Sequence, residues 1–312
     1  MTGKVLTEKR KPLFRRVWQN RALYLMLMIP LTVLILFRYV PMYGIQIAFK
    51  DYMPSDRISE SPWVGLRFIS RFISNYKFLT IMKNTLVLGA YGIATFPCAL
   101  LLALSVHYLT SNVFRRLVQT ISYLPHFITT VVMCSIILQM FDARTGLFNA
   151  IMQLFGVPAR NYMGIESAFK HIYVWTNVWQ GVGYSSIIYI ASLRGVSSEL
   201  HEAALIDGAT LVQRIRHVDI PSLLPTVCVL LIMSCGSLLS VGYEKVYLLQ
   251  NSMNLNASEV INTYVYKQGL GNGSRSDYAY STAVDLFNSV VSLIMIVSVN
   301  HISRRVNETS LW

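Results

Sequence analysis

Charged residues are scarce in this 312-residue sequence. Asp, Glu, Lys and Arg together make up 13% of it, about half the roughly 25% of a soluble domain. Acids are the scarcer sign, 15 against 27 Lys and Arg, which leaves a formal charge of +12. So little charge excludes a disordered chain. Only four cysteines occur, Cys98, Cys134, Cys228 and Cys235, all in apolar stretches. Cys228 and Cys235 share a helix face but stand about 10 Å apart along it, beyond disulfide reach. A secreted disulfide scaffold is therefore excluded, and the thiols read as small buried hydrophobes. No Cys-x-x-Cys or Cys/His metal spacing is present. His201-Glu202 opens like a zinc-protease helix, but Leu205 stands where the second His must be. The Gly-x-x-x-x-Gly-Lys-Ser/Thr pattern is also missing, so the chain cannot cradle ATP phosphates in the P-loop manner. No internal repeat, low-complexity linker or appended soluble domain appears.

Apolar residues are abundant. They form 54% of the chain, and mean hydropathy is +0.46. The basic residues lie between long apolar runs rather than on one polar face, which excludes a water-soluble nucleic-acid binder. A hydrocarbon core needs about 20 apolar residues per helix. Six stretches qualify, at about 22–40, 84–106, 118–141, 172–193, 222–243 and 281–302. Short alternating segments, the mark of an outer-membrane barrel, are missing. The fold class expected is an all-α integral membrane protein with six transmembrane helices. Residues 1–21 make a basic N-terminal tail, 22–302 the six-span domain and 303–312 a short C-terminal tail.

Orientation follows from Lys and Arg in the connections. With the N-terminus inside, internal segments 1–21, 107–117, 194–221 and 303–312 carry 14 in 70 residues, and the external ones 12 in 110. Both termini are thus expected to be cytoplasmic. The first apolar run is too long for a cleaved signal and lacks an Ala-x-Ala-like site, so it reads as a retained span. Between Leu66 and Met82, apolar residues recur at Leu66, Ile69, Phe72, Ile73, Tyr76 and Leu79. That spacing suits either a helix lying in the outer interface or one packed on neighbouring spans.

The internal loop 194–221 is the most informative segment. Ser197 or Ser198 can cap a short helix whose first half is acidic, with Glu199, Glu202 and Asp207. Gly208 supplies a turn. A basic piece follows with Arg214, Arg216 and His217, and Pro221 closes it before the fifth span. Small Ala203, Ala204 and Ala209 let another protein's surface approach closely. The reading is a helix–Gly–helix elbow exposed to the cytoplasm.

This loop resembles the EAA motif of ATP-binding-cassette importer permeases. The motif runs Glu-Ala-Ala, three residues, Gly, nine residues, Ile-x-Leu-Pro. Here it is Glu202-Ala203-Ala204, Gly208, then Val218-Asp219-Ile220-Pro221. Tyr39-Val40-Pro41-Met42-Tyr43-Gly44-Ile45, Lys50-Asp51-Tyr52, Lys83-Asn84-Thr85 and Ser310-Leu311-Trp312 are similar to the LplB/YtcP-type carbohydrate permeases, over nearly the whole chain. The resemblance implies the type I importer transmembrane fold in a bacterial cytoplasmic membrane. It implies a non-enzymatic subunit that binds no cofactor, with ATP and Mg used by two separate ATPase subunits. Further partners implied are a second permease, of a different kind, and an extracytoplasmic solute-binding protein that delivers an oligosaccharide. Glu202, Ala203, Ala204, Asp207, Gly208, Ala209, Ile215, Val218 and Pro221 are then the ATPase-coupling residues.

The substrate path is read from polar stripes, which in a span face protein or a water-filled cavity rather than lipid. Span four offers Tyr173, Asn177, Gln180 and Tyr184. Span six offers Ser281, Asp285, Asn288 or Ser289, and Ser292. Span three begins with Tyr123 and His126. Aromatic faces with amide and hydroxyl partners suit sugar rings, although the same groups also serve to hold helices together. Asp285, the only acid inside a predicted span, suits an interhelical pair as well as a substrate contact. The alternatives are a secondary transporter or channel for a polar solute, which needs intramembrane charge pairs, and an intramembrane hydrolase, for which no paired acids, Ser/His couple or metal set appears.

Overall fold

The computed structural model describes residues 18–271 and 276–307. Among these the chain is helical, with no strand beyond an isolated bridge between Lys50 and Trp63. Most of the N-terminal basic tail and the Ser310-Leu311-Trp312 terminus lie outside the described residues.

Helix α1 (Arg21–Phe49) runs through a π turn at Ile35–Tyr39 and a 3-10 stretch from Val40. It ends nine residues beyond the apolar run predicted from the sequence. Met26 and Ile29 on it are each 72% exposed, so its apolar surface needs lipid or another chain against it. Helix α2 (Arg67–Ile73) then buries Phe68 and Phe72 against Tyr264, Tyr280 and Phe287. Of the two readings open for this segment, packing on neighbouring helices is the one observed. The expected stripe differs, because Leu66, Tyr76 and Leu79 are exposed and a turn at 74–77 divides the segment. Asn75 makes that turn by accepting from the Lys77 backbone N–H at 2.9 Å.

Helix α3 (Phe78–His107) bends before Pro97 and leads to α4 (Asn112–Phe127) and α5 (Thr130–Met140). The sequence predicts one straight span over 118–141. Instead α4 and α5 meet at 102°. Ile128 and Thr129 are extended, with ψ of 128° and 152°, and Pro125 ends regular helix just before them. A short α6 (Leu147–Leu154) precedes the long α7 (Glu166–Arg194), α8 (Ser198–Ile206) and α9 (Leu211–Gly236). The predicted fifth span to residue 243 ends at Gly236; residues 237–242 turn, and α10 (Tyr243–Leu249) starts afresh. The chain closes with α11 (Leu255–Ser258), α12 (Ile261–Tyr266) and α13 (Tyr278–Asn307).

Four described helices, α1, α3, α9 and α13, are long and apolar enough to cross a membrane, and a fifth is added if α4 and α5 count as one span. Helix α7 has the length, at 29 residues, but carries Asn, Gln, Gly, Ser and Tyr along it. It is also the hub of the packing. Near Arg194 it buries Tyr189 and Leu193 with Ala103 of α3 and Leu223 of α9; near Glu166 it buries Phe169 and Tyr173 with Met133 of α5 and Val246 of α10. Close approach to α4 depends on Gly183, where a Cβ would stand 2.0 Å from the Ser122 carbonyl oxygen.

Candidate functional site

Two features stand out, one at each level of α7. The first is where it hands over to α8 and α9. The Ser197 side chain caps α8 by accepting from the Glu199 N–H at 3.2 Å. Gly208 follows with φ of +75°, a left-handed conformation in which a Cβ is penalised. Thr210 and Gln213 then close a reciprocal capping box that starts α9. Glu202, Ala203, Asp207 and Gly208 are exposed, and Ala204 and Ala209 are half-buried. Ile206 is 87% exposed and Val212 71%. Ile215 and Val218 turn inward, and Pro221 lies in the first turns of the long stretch of α9.

Beneath this bend lies Asp219, fully buried. It accepts from the Tyr108 hydroxyl at 2.5 Å, which ties α9 to the end of α3, and its Oδ1 faces His201 Nε2 of α8 at 3.4 Å without a hydrogen bond between them. Arg214 covers the Tyr108 ring at 5.7 Å. Burial, then the Asp219 hydrogen bond, pushes the Tyr108 phenol up to about 12. His107, His201 and Asp219 also bring three possible metal-ligand atoms within 4.8 Å of one another. Arg115 and Arg194 act on the same His107, and such surplus positive charge opposes a divalent cation. The arrangement fits a polar tie between helices better than a metal centre.

The second feature is a pair of adjoining cavities at the middle of α7. The larger, about 750 Å³, is lined by Asn177, Gly181 and Tyr184 of α7 with Ser234 of α9 and Ser237 and Leu238 of the turn after it. That volume lies within the roughly 300–1,000 Å³ of ligand pockets. None of its lining residues is charged. The smaller, about 310 Å³, shares Tyr173, Asn177 and Gly242 with it and adds Thr130, Gln180, Glu244 and Lys245. Tyr184 is half exposed, and the His126 ring stacks on it with centroids 3.9 Å apart and planes 3° apart. Gln180, at the midpoint of α7, donates to the Ile128 carbonyl at 3.1 Å. That contact places the break between α4 and α5 beside the cavity.

The fold thus brings together Tyr173, Asn177, Gln180 and Tyr184, with His126 at their edge. It does not bring Tyr123, Asp285 or Asn288 to either cavity. Asp285 is exposed on α13. Asn288 is buried one turn further on, and its Oδ1 and the Ser292 hydroxyl have no hydrogen-bond partner in the structure.

Residues 95–308 match the family model described as binding-protein-dependent transport system inner membrane component. The chain belongs to this family. It is therefore a membrane permease component rather than an enzyme. The permease is 38% identical over 306 residues to the polygalacturonan/rhamnogalacturonan transport system permease protein YteP of Bacillus subtilis, covering 98% of this chain and 94% of that one. It is 35% identical to Protein LplB of the same organism, covering 94% and 92%. Among solved structures it is similar to a bacterial ABC transporter involved in the import of the acidic polysaccharide alginate. There the TM-score is 0.86 with 33% identity, covering 95% of this chain and 99% of that chain. The same figures of likeness hold for the alginate transporter in complex with an alginate pentasaccharide-bound periplasmic protein, with 96% of this permease covered.

Sequence reading missed Tyr108, Asp219 as a buried acid, and Lys245. Asp219 sits inside the motif pattern at a position whose identity the spacing leaves free. Lys245 falls just past a predicted span, where a charge looks like an ordinary loop residue. The one available signal was a Glu-Lys pair directly after an apolar run.

Proposed function

We propose that this permease is the transmembrane subunit of an ATP-driven importer and forms half of the pathway for an oligosaccharide. The observation that carries the reading is the helix–Gly208–helix bend, with exposed Glu202, Ala203, Asp207 and Ile206, at the end of the helix that also lines the polar cavity. An exposed apolar side chain beside small residues and an acid is a surface made for a partner protein. Two separate ATPase subunits would dock there and use ATP and Mg; this chain binds no cofactor. Closure of the ATPase pair would swing α8, and α7 and α9 with it, as largely rigid bodies. Because α7 spans both features, movement at the bend reaches the cavity about 20 Å away along its axis.

YteP belongs to a polygalacturonan/rhamnogalacturonan transport system, one solved neighbour is involved in the import of the acidic polysaccharide alginate, and another is in complex with a periplasmic protein carrying an alginate pentasaccharide. By analogy, an extracytoplasmic solute-binding protein delivers an oligosaccharide to this permease and a second, different permease. Six spans, both termini and the bend on the cytoplasmic side, and location in a bacterial cytoplasmic membrane complete the reading. Tyr184, His126 and Asn177 supply the ring-stacking and hydrogen-bonding groups that a sugar needs. Asp285, exposed on α13, remains as a contact toward the second permease or the substrate.

The test is substrate-stimulated ATP hydrolysis by the purified assembly in lipid. Glu202→Lys is expected to leave the four-subunit complex intact by size exclusion and to remove stimulation. Unchanged stimulation in an intact complex rejects the coupling role of the bend.

A further inference from the structure

Lys245 is the odd residue of this molecule. It stands on α10, directly after the turn that ends the predicted fifth span, and is 6% exposed. Its Nζ donates to Asn177 Oδ1 at 2.8 Å and to Gln180 Oε1 at 3.3 Å. Both partners are neutral. Among the described residues no carboxylate lies within 4.0 Å of it, whereas Lys77, Lys267, Arg67 and Arg71 all have acidic partners. A buried ammonium held only by amide oxygens has its hydrogen bonds partly met and its charge unmet.

The place matters as much as the charge. Lys245, Asn177 and Gln180 line the smaller cavity, which joins the larger, uncharged one through Tyr173, Asn177 and Gly242. Glu244 is the other charged residue on these walls; it is exposed and does not pair with its neighbour. If the only task were to hold α10 to α7, a neutral amide would do it without the cost of burying a charge. Charges kept at such depth beside a cavity mark a ligand path.

We propose that Lys245 is a specificity-determining residue of the transport path, and that it selects oligosaccharides bearing carboxylates, the uronates, over uncharged ones. This rests on the importer reading above and adds the substrate's charge to it. A passing carboxylate accepts from the ammonium while Asn177 and Gln180 keep the lysine stem in place. The ring of the same sugar meets the Tyr184–His126 stack in the larger cavity. One charge-assisted contact is enough to separate an acidic sugar from its neutral isostere by about tenfold.

The test uses the complete importer in proteoliposomes with its binding protein, and two probes of equal length: a galacturonate pentasaccharide and its carboxyl-reduced, uncharged counterpart. The readout is the ratio of the two apparent KM values for stimulated ATP hydrolysis. The binding protein is common to every arm, so its own preference cancels when ratios are compared between variants. Wild type is expected to favour the acidic probe by about tenfold. In Lys245→Gln the ratio is expected to shrink by about that factor, and in Lys245→Arg to stay within about threefold of wild type. A wild-type preference for the uncharged probe, or a Gln variant with the wild-type ratio, overturns the role of Lys245 and leaves the importer standing. Hydrolysis that neither probe stimulates in wild type overturns the oligosaccharide reading itself, and the proposal with it. Should the Gln variant not assemble, Lys245→Met takes its place, with the same shrinkage of the ratio expected and an unchanged ratio overturning the role of Lys245.

Discussion

Replacing Gly208 separates backbone geometry from steric fit at the bend. Its φ of +75° belongs to the left-handed region, and a Cβ added there meets nothing within 4 Å in this chain. Gly208→Ala therefore adds no clash inside the chain and leaves only the conformational penalty, about 1–2 kcal/mol. At about 1.4 kcal/mol per factor of ten, that lowers the population of the observed bend by roughly 5–30-fold relative to straighter alternatives. Asparagine tolerates the left-handed conformation, so Gly208→Asn adds more atoms with less strain. Stimulated ATP hydrolysis by the assembled importer is expected to fall steeply in the Ala variant and much less in the Asn variant. Equal losses would mean that a partner surface excludes any side chain there. No loss in either would mean that the bend angle does not govern coupling.

Two further outcomes follow from the packing. Gly183→Ala sets a Cβ 2.0 Å from the Ser122 carbonyl. The helices α4 and α7 must then separate, so the melting temperature of the purified permease in detergent should fall by several degrees, as for overpacking of about 1–3 kcal/mol; an unchanged value would show that the two helices are not pressed together. Tyr108→Phe deprives buried Asp219 of its 2.5 Å donor, a loss of about 1.5–3 kcal/mol for a hydrogen bond to a charged group, readable in the same melt. The Tyr108 phenol is raised to about 12 in the fold, against about 10 when unfolded. Its contribution is therefore full below about pH 10 and lost as pH climbs toward 12. The gap in melting temperature between wild type and Tyr108→Phe should stay constant from pH 6 to 9; a gap that closes within that range would refute the assignment.

Much of this protein is decided by local sequence. The rarity of charge and the length of the apolar runs make it a helical membrane protein, because backbone groups in lipid must be satisfied within one segment. The spacing from Glu202 to Pro221 carries the family resemblance, and Gly208 marks the turn, since few residues tolerate its φ. The stripe Tyr173, Asn177, Gln180 and Tyr184 was legible because helical periodicity puts one face together before any neighbour is known.

Only the tertiary structure decided the rest. Periodicity reads 118–141 as one span, yet the chain turns through 102° there; Pro125 hints at a break, but its angle depends on what α5 packs against. The face of the 66–82 segment that is buried was chosen by Tyr264, Tyr280 and Phe287, which lie about two hundred residues away. Lys245 and Asp219 look like ordinary charges in sequence. Their burial is a long-range outcome, set by α7 lying across α10 in one case and by α3 ending at the bend in the other. A sequence displays residue types and local spacing, whereas the environment that turns a charge into a site comes from segments far along the chain.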